Sequence, residues 1–252
     1  MDLWDTHCHL FQEYYDNLEK ILSEANSNGV THYILGGVDI TSNQEIIHFI
    51  ASHDNCYGVL GIHPEYASNY QTSDLEFLRE NLDNFKVLGI GEIGLDYHYT
   101  KENKDDQKQL FELQLELAEK YNLPVVIHSR EATKDTIDIL KKHSVKGVIH
   151  SFSGSLETAN IYINMGFKLG INGVVTFKNS KLKELLPSIF SHIVLETDSP
   201  YLTPHPYRGQ QNSPKYVKNI AEFIADELKV SVSQVEKVTN ENILVIFDKV
   251  SH

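Results

Sequence analysis

Short apolar stretches alternate along the chain with longer stretches in which apolar residues recur at helical spacing. Runs rich in Val, Ile and Leu and closed by Gly, Pro, Asn or Asp predict β-strands. Several are apolar almost throughout, which is typical of parallel strands covered on both faces. The candidate strands number eight, and they are LWDTHCHL, THYILGG, CYGVLGIHP, VLGIGEIGLD, PVVIHSR, GVIHSFSG, KLGING and HIVLETDSP.

Helical spacing is found between these strands and after the last one. The predicted helices are Tyr14 to Asn28, Ser42 to Asp54, Asp105 to Tyr121, Glu131 to His143, Ser155 to Met165, Pro214 to Leu228 and Ser231 to Phe247. Eight strands in strand and helix alternation favour a closed parallel barrel over an open doubly wound sheet. We therefore expect an α/β protein with one domain over residues 1–252, a TIM-type (β/α)8 barrel with an additional C-terminal helix.

Composition narrows the functional classes. The formal charge of −13 argues against a dedicated nucleic-acid binder, whose affinity would come from phosphates neutralised by Lys and Arg. Only Cys8 and Cys56 are present, too few for a disulfide framework, so a reduced compartment is expected. The N-terminal residues have no signal-peptide pattern and no later stretch approaches membrane-spanning length, which predicts a cytoplasmic protein.

Candidate chemistry begins in the first strand. Alternate side chains of a strand share a face, so Asp5, His7 and His9 are expected to point together. Taken alone, a His-x-His pair is as compatible with a hydrogen-bonded polar patch as with metal ligation.

Polar residues of the kinds that bind metals recur late in the other predicted strands. In a barrel the C-terminal ends of the strands form one mouth, so residues far apart in sequence would meet there. Each residue could singly be a turn residue or a satisfied buried group, but their shared position favours a metal site. They are His63 in the third strand, Glu92 and Asp96 in the fourth, His128 in the fifth, His150 in the sixth, and Glu196 and Asp198 in the eighth.

Glu92 is the expected centre of a two-metal site, because a carboxylate can bridge two cations and an imidazole cannot. One ion would take His7, His9, Glu92 and Asp198, and the other Glu92, His128 and His150. Mixed imidazole and carboxylate ligands suit Zn, Mn, Fe or Ni, with Mg possible if water completes the shell. Asp5 and Glu196 would orient the imidazoles.

The chain resembles the TatD family of metal-dependent deoxyribonucleases, which are amidohydrolase-like TIM barrels. The matching segments, in family order, are DTHCHL, GIHPEY, GEIGLDYHY, VIHSREA, IHSFSGS, ETDSPYLTPHPYRG, NSP and TNENILVIF. The resemblance implies that the metal ligands are His7, His9, Glu92, His128, His150 and Asp198, that His63 lies near the substrate phosphate, and that Asp198 handles the proton of the attacking water. Asn240 and Ile243 depart from the family pattern.

The expected reaction is hydrolysis of DNA phosphodiesters, by an exonuclease acting on ends or single strands. Two ions would activate the water and hold the attacking and leaving oxygens. His63 would donate to a phosphate oxygen, and Arg130 or Arg208 would hold a neighbouring phosphate. DNA would be a weakly bound substrate of a monomer that needs no membrane and no obligate protein partner.

Two other functions remain open at this stage. The same ions could polarise a carbonyl in a carboxylic ester hydrolase such as an aminoacyl-tRNA deacylase. A non-catalytic metal-binding scaffold ranks last, because no ligand is missing. The connections Tyr97 to Asp105 and Tyr201 to Pro214 should decide the substrate, since function depends on the loops around a site.

Overall fold

Eight parallel strands alternate with helices in the computed structural model, which describes residues 1–98 and 102–251. The strands follow the chain order β1 to β8 in one sheet, so the fold is the predicted TIM-type (β/α)8 barrel. Their bounds are β1 Leu3–Cys8, β2 Val30–Gly36, β3 Cys56–Leu60, β4 Val87–Asp96, β5 Val125–Arg130, β6 Gly147–Ile149, β7 Phe167–Ile171 and β8 Ile193–Leu195.

Each predicted helix has a counterpart in the described residues, most of them shorter than predicted or shifted by a few residues, and two further helices are present. Their bounds are α1 Leu18–Ser27, α2 Ile40–Ser52, α3 Thr72–Asn81, α4 Lys104–Tyr121, α5 Thr133–Leu140, α6 Leu156–Asn164, α7 Leu182–Ile189, α8 Val217–Leu228 and α9 Val232–Ile246. The predicted additional C-terminal helix is α9. None of the helices described here is long and apolar enough to cross a membrane.

Helices α3 and α7 were not expected from the sequence, for different reasons. Leu78 is the one fully buried residue of α3, so this helix lacks a strong apolar stripe. Helix α7 contains Pro187, which has no backbone N–H to donate and therefore reads as a helix breaker.

Several strands end earlier than predicted. Residues expected inside strands instead follow their last residue: His9, His63, His150, Glu196 and Asp198. Pro64 and Pro200 stand close behind two of these positions, and proline cannot donate to a strand ladder. These five side chains therefore begin the connections after the strands, whereas His7, Glu92 and His128 lie inside strands.

The chain divides into two compact units. The first comprises residues 1–35, 151–164 and 168–245, and its core includes Leu3, Ile34 and Ile193. The second comprises residues 36–150, 165–167 and 246–252, and its core includes Ile90 and Phe111. The assignment of residues 1–252 to a single domain stays a prediction.

Two buried glutamines of α4 position strand ends in the second unit. The Gln114 side-chain amide accepts from the N–H of Ile62 at 2.7 Å and donates to the Ile62 carbonyl at 3.0 Å. Gln107 does the same to Asp96, with both distances at 2.9 Å. Each side-chain amide pairs with the N–H and the carbonyl of one residue, as the main chain of a neighbouring strand would. Helix α4 therefore holds the main chain at Ile62, next to His63, and at Asp96, the end of β4.

Candidate functional site

A first cluster of metal-type side chains lies in the first unit, where β1 ends. The Nε2 atoms of His7 and His9 are 3.3 Å apart. Asp198 Oδ1 is 3.9 Å from Nε2 of His7 and 3.5 Å from Nε2 of His9. Both histidines are buried, so three ligand atoms converge in a place largely closed to solvent.

Main-chain hydrogen bonds fix this cluster. The Asp198 N–H donates to the His7 carbonyl at 2.9 Å, and the His9 N–H donates to the Ser199 carbonyl at 2.8 Å. The segment after β8 is therefore paired with the end of β1, which sets the three side chains side by side. Asp198 has φ +57°, a left-handed conformation that aspartate tolerates better than most residues.

Asp5 binds the main chain of both segments that form this cluster. Its buried carboxylate accepts from the Thr197 N–H at 2.9 Å and from the Thr197 hydroxyl at 2.5 Å. It also accepts from the His7 N–H at 3.3 Å. Burial raises the pKa of Asp5 well above its ordinary value, against the lowering effect of the Thr197 hydrogen bonds. Asp5 thus holds the main chain around the cluster, and its expected role in orienting the imidazole rings stays a prediction.

A second cluster, in the second unit, is centred on Glu92. Its Oε1 atom is 2.7 Å from His128 Nδ1 and 3.7 Å from His63 Nε2. His150 Nε2 lies 3.9 Å from the same oxygen. The ligand atoms of His63, Glu92 and His128 lie within 4.8 Å of one another, so His63 stands among the candidate ligands although the sequence placed it on the substrate.

His63 caps a turn and also faces Glu92, although the sequence presented a turn residue and a site residue as alternatives. Its Nδ1 accepts from the Glu65 N–H at 3.2 Å and so caps the short 3-10 turn Pro64–Tyr66. Its Nε2 faces Glu92. Capping fixes the ring orientation, because the acceptor role of Nδ1 leaves the other nitrogen for the site.

Asp96 contacts His128, a role that the sequence did not assign to it. Its Oδ2 atom lies 3.0 Å from His128 Nε2, and its Oδ1 accepts from the His98 N–H at 2.8 Å. The signal was in the spacing: Glu92 and Asp96 are four residues apart on one strand, and even spacing puts side chains on the same face.

The two carboxylates control the charge of His128. Burial lowers the pKa of its ring, but the hydrogen bonds to Asp96 and Glu92 outweigh burial and raise the pKa to about 9. The pKa of Asp96 is lowered in turn, because hydrogen bonds from His128 and the His98 N–H outweigh the effect of burial. Without a bound metal, the ring at neutral pH is therefore an imidazolium held between two carboxylates.

Glu196, the other residue expected to orient a ligand, is fully buried in the first unit. Its Oε1 accepts from the Ser151 N–H at 2.7 Å and from the Asn172 side-chain amide at 3.4 Å. A Cβ added to Gly170 would lie 2.2 Å from Glu196 Oε2, so glycine is needed there to admit the carboxylate. Glu196 connects the segments that follow β6, β7 and β8, and its predicted effect on a histidine ring stays a prediction.

The predicted phosphate-binding arginines are exposed. Arg130 is the last residue of β5, and its carbonyl accepts from the Tyr97 N–H at 2.9 Å. Arg208 places its guanidinium carbon 4.0 Å from the centre of the Phe177 ring, in a cation–π contact. Their predicted phosphate contacts stay predictions. Of the connection Tyr97 to Asp105, residues 99–101 lie outside the described residues.

The donor chemistry of both clusters fits divalent cations. Each combines imidazole nitrogens with at least one carboxylate, the set that Zn, Mn, Fe and Ni accept. The buried atoms already converge, which is the arrangement expected where an ion offsets the charge of the carboxylates.

Comparison with known proteins agrees with this chemistry. The model of the family described as TatD related DNase matches residues 4–248. The chain belongs to this TatD-related family. The metal-dependent hydrolase YabD of Bacillus subtilis, whose name marks it as uncharacterized, is 40% identical over 97% of this chain and 98% of its own length.

A more distant TatD relative carries a specific activity in its name. The 3'-5' ssDNA/RNA exonuclease TatD of Pantoea ananatis is 30% identical over 91% of this chain and 92% of its own length. The crystal structure of the TatD homologue YjjV from Escherichia coli superposes with a TM-score of 0.91 at 28% identity, and 98% of each chain is covered. This TatD-family chain is accordingly a metal-dependent hydrolase.

Proposed function

We propose that this TatD-family hydrolase cleaves phosphodiester bonds of DNA, from ends or single strands, with two divalent cations. The observation that carries the proposal is the pair of buried histidine and carboxylate clusters, one built on His7, His9 and Asp198 and the other on Glu92. The named activity of the Pantoea ananatis relative supports the substrate class. DNA, the number of ions, and the monomer expected from the sequence are parts of this proposal.

The chain's own residues would divide the work. In the first cluster His7 and His9 supply neutral nitrogens and Asp198 supplies a carboxylate, which also accepts the proton of the attacking water. In the second cluster Glu92 and His128 would hold the cation. His150, 3.9 Å from Glu92 Oε1, is proposed as a further ligand there. Bound divalent cations lower the pKa of water and stabilise the charge of the attacking and leaving oxygens.

His63 is proposed to keep the substrate role implied by the family resemblance. Since its Nδ1 accepts from the Glu65 N–H, the neutral ring carries its proton on Nε2. We propose that Nε2 donates this proton to a non-bridging phosphate oxygen, the position where negative charge develops during the displacement.

The test measures bound metal and hydrolysis together. Metal content per chain and cleavage of linear single-stranded DNA are measured for wild type, Glu92→Ala and the control Glu227→Ala, which changes an exposed glutamate of α8. We expect about two metals in wild type and in the control, and a fall of at least about 100-fold in cleavage with loss of metal in Glu92→Ala.

Two results would contradict the proposal in different ways. Unchanged metal content in Glu92→Ala would remove Glu92 from the ligands. Two bound metals with no cleavage of any phosphodiester would remove the nuclease activity, and aminoacyl esters would then be the substrates to assay.

A further inference from the structure

Next to the first cluster lies a group of three aromatic rings, Phe11, Tyr14 and Tyr201, which we call the aromatic platform. The ring centres of Tyr14 and Tyr201 are 6.0 Å apart, and those of Phe11 and Tyr14 are 6.2 Å apart. The platform continues directly from the cluster, because the His9 ring centre is 6.4 Å from that of Tyr201 and 5.9 Å from that of Phe11.

Exposure differs sharply between the members. Phe11 is 5% exposed and its ring contacts that of Tyr14. Tyr201 is 51% exposed, one of the few large apolar or aromatic side chains in the described residues with that much open surface. Aromatic side chains on which bases can stack are typical of sites that bind single-stranded nucleic acid. The open surface of the platform is therefore mainly that of Tyr201.

The main chain holds the platform rigidly to the cluster. The Tyr201 N–H donates to the Asp198 carbonyl at 2.8 Å, so the ring follows a turn that starts at a candidate ligand. The other half is joined to the same segment, because Gln211 Nε2 donates to the Tyr14 carbonyl at 2.7 Å and Tyr15 Oη donates to the Asn212 carbonyl at 2.8 Å. Rings fixed in advance lose little conformational freedom when a ligand stacks on them.

We propose that Tyr201, supported by Tyr14 and Phe11, stacks on a nucleobase of the strand whose phosphate lies at the His9 and Asp198 cluster. This inference rests on the proposed function and adds a base-binding site to it. The platform is uncharged, so it offers no attraction to a phosphate and suits the base instead. One sugar separates a base from its phosphate, a separation that the 6.4 Å between the rings of His9 and Tyr201 can accommodate.

The proposal explains how an acidic protein can select its substrate. A base inside a duplex already stacks on its neighbours, so only a single strand or a frayed end can present a free face to Tyr201. Stacking tolerates any base, because every base has a π-face, and it contributes about 1–3 kcal/mol for each base. Affinity gained this way does not require an excess of Lys and Arg, and the formal charge of this chain is −13.

The test compares a strand that has bases with one that lacks them. Fluorescein-labelled ten-nucleotide oligothymidylate and an abasic strand of equal length are titrated with the full-length protein in EDTA, and binding is followed by anisotropy. The KM for both strands is then measured with the metal-loaded enzyme. Variants are Tyr201→Ala, Tyr201→Phe and the control Phe85→Ala, which removes an aromatic ring that is 70% exposed outside the platform.

We expect Tyr201→Ala to weaken oligothymidylate binding and raise its KM by about 10-fold, with less than about twofold change for the abasic strand. Tyr201→Phe keeps the ring and should behave like wild type, as should Phe85→Ala. Equal losses for both strands would mean that Tyr201 only positions the Asp198 turn, and no loss for either would mean that no base stacks there. Either result would refute the proposal that a base stacks on the aromatic platform.

Failure of the proposed function looks different. In that case the metal-loaded wild type hydrolyses neither strand. If wild type hydrolyses the abasic strand and binds both strands equally well, phosphodiester cleavage stands and the base site does not.

Discussion

The charge of His128 in the metal-free protein should make folding stability depend on pH. The ring contacts Glu92 at 2.7 Å and Asp96 at 3.0 Å, and its pKa rises from the ordinary 6.5 to about 9. At about 1.4 kcal/mol for each unit of pKa, this difference of about 2.5 units corresponds to about 3–4 kcal/mol of extra stability. Because the pKa is raised in the folded state, the contribution is complete below pH 6.5 and is lost as the pH rises through 9.

Two measurements on metal-free protein check this prediction. The first follows the ring nitrogens of His128 by NMR through a pH titration. The second compares the free energy of unfolding in urea at pH 6 and at pH 9.5. Asp96→Asn removes one carboxylate, so it should lower the pKa of His128 and shrink the pH-dependent part of the stability. Asp138→Asn changes an exposed aspartate of α5 and should leave both unchanged.

A wild-type His128 that titrates near pH 6.5 would refute the reasoning, because the two carboxylate contacts would then have no net effect on the ring. A pH-dependent stability that is equal in wild type and Asp96→Asn would also refute it, since the contribution would have to come from another group.

Other predictions concern packing and substrate choice. Thr197→Val removes the hydroxyl that donates to buried Asp5 and should lower the free energy of unfolding in urea by about 1–3 kcal/mol. The exposed control Thr72→Val should lower it by less than about 0.5 kcal/mol. Gly94 has φ +141° and an added Cβ would lie 2.0 Å from the His128 carbonyl oxygen, so Gly94→Ala should lower the free energy of unfolding by at least about 3 kcal/mol. Gly166 has φ +91° but open space around an added Cβ, so Gly166→Ala should lower it by about 1 kcal/mol. Closed circular DNA should be cleaved far more slowly than linear DNA in a gel assay, and equal rates would contradict the preference for ends and single strands.

The fourth strand shows what the sequence can predict well. The bounds expected for VLGIGEIGLD, residues 87–96, are those of β4, because a run of apolar and glycine residues broken only by Glu92 before its last residue leaves little choice of structure. The fold class followed from the count of such runs. The grouping of histidines and carboxylates was predicted from their shared position at the ends of those runs.

Other features depend on contacts that no local pattern reveals. Helix α3 has too few buried residues to show a clear apolar stripe, and the strand ends before His9 and His150 depend on pairing between segments far apart in the chain. The grouping of His63 with Glu92 could not be read from the sequence either, because turn capping and metal ligation require the same residue type.

Gln107 and Gln114 set the distance along α4 at which the main chain of Asp96 and of Ile62 is held. They are seven residues apart, close to two helical turns and about 10 Å along the axis, so both amides lie on one face. One residue inserted between them would rotate the second amide by about 100° and detach it from its strand end. We expect homologous chains to vary in length outside this interval and to keep its seven-residue spacing, whatever substrate they have come to hydrolyse.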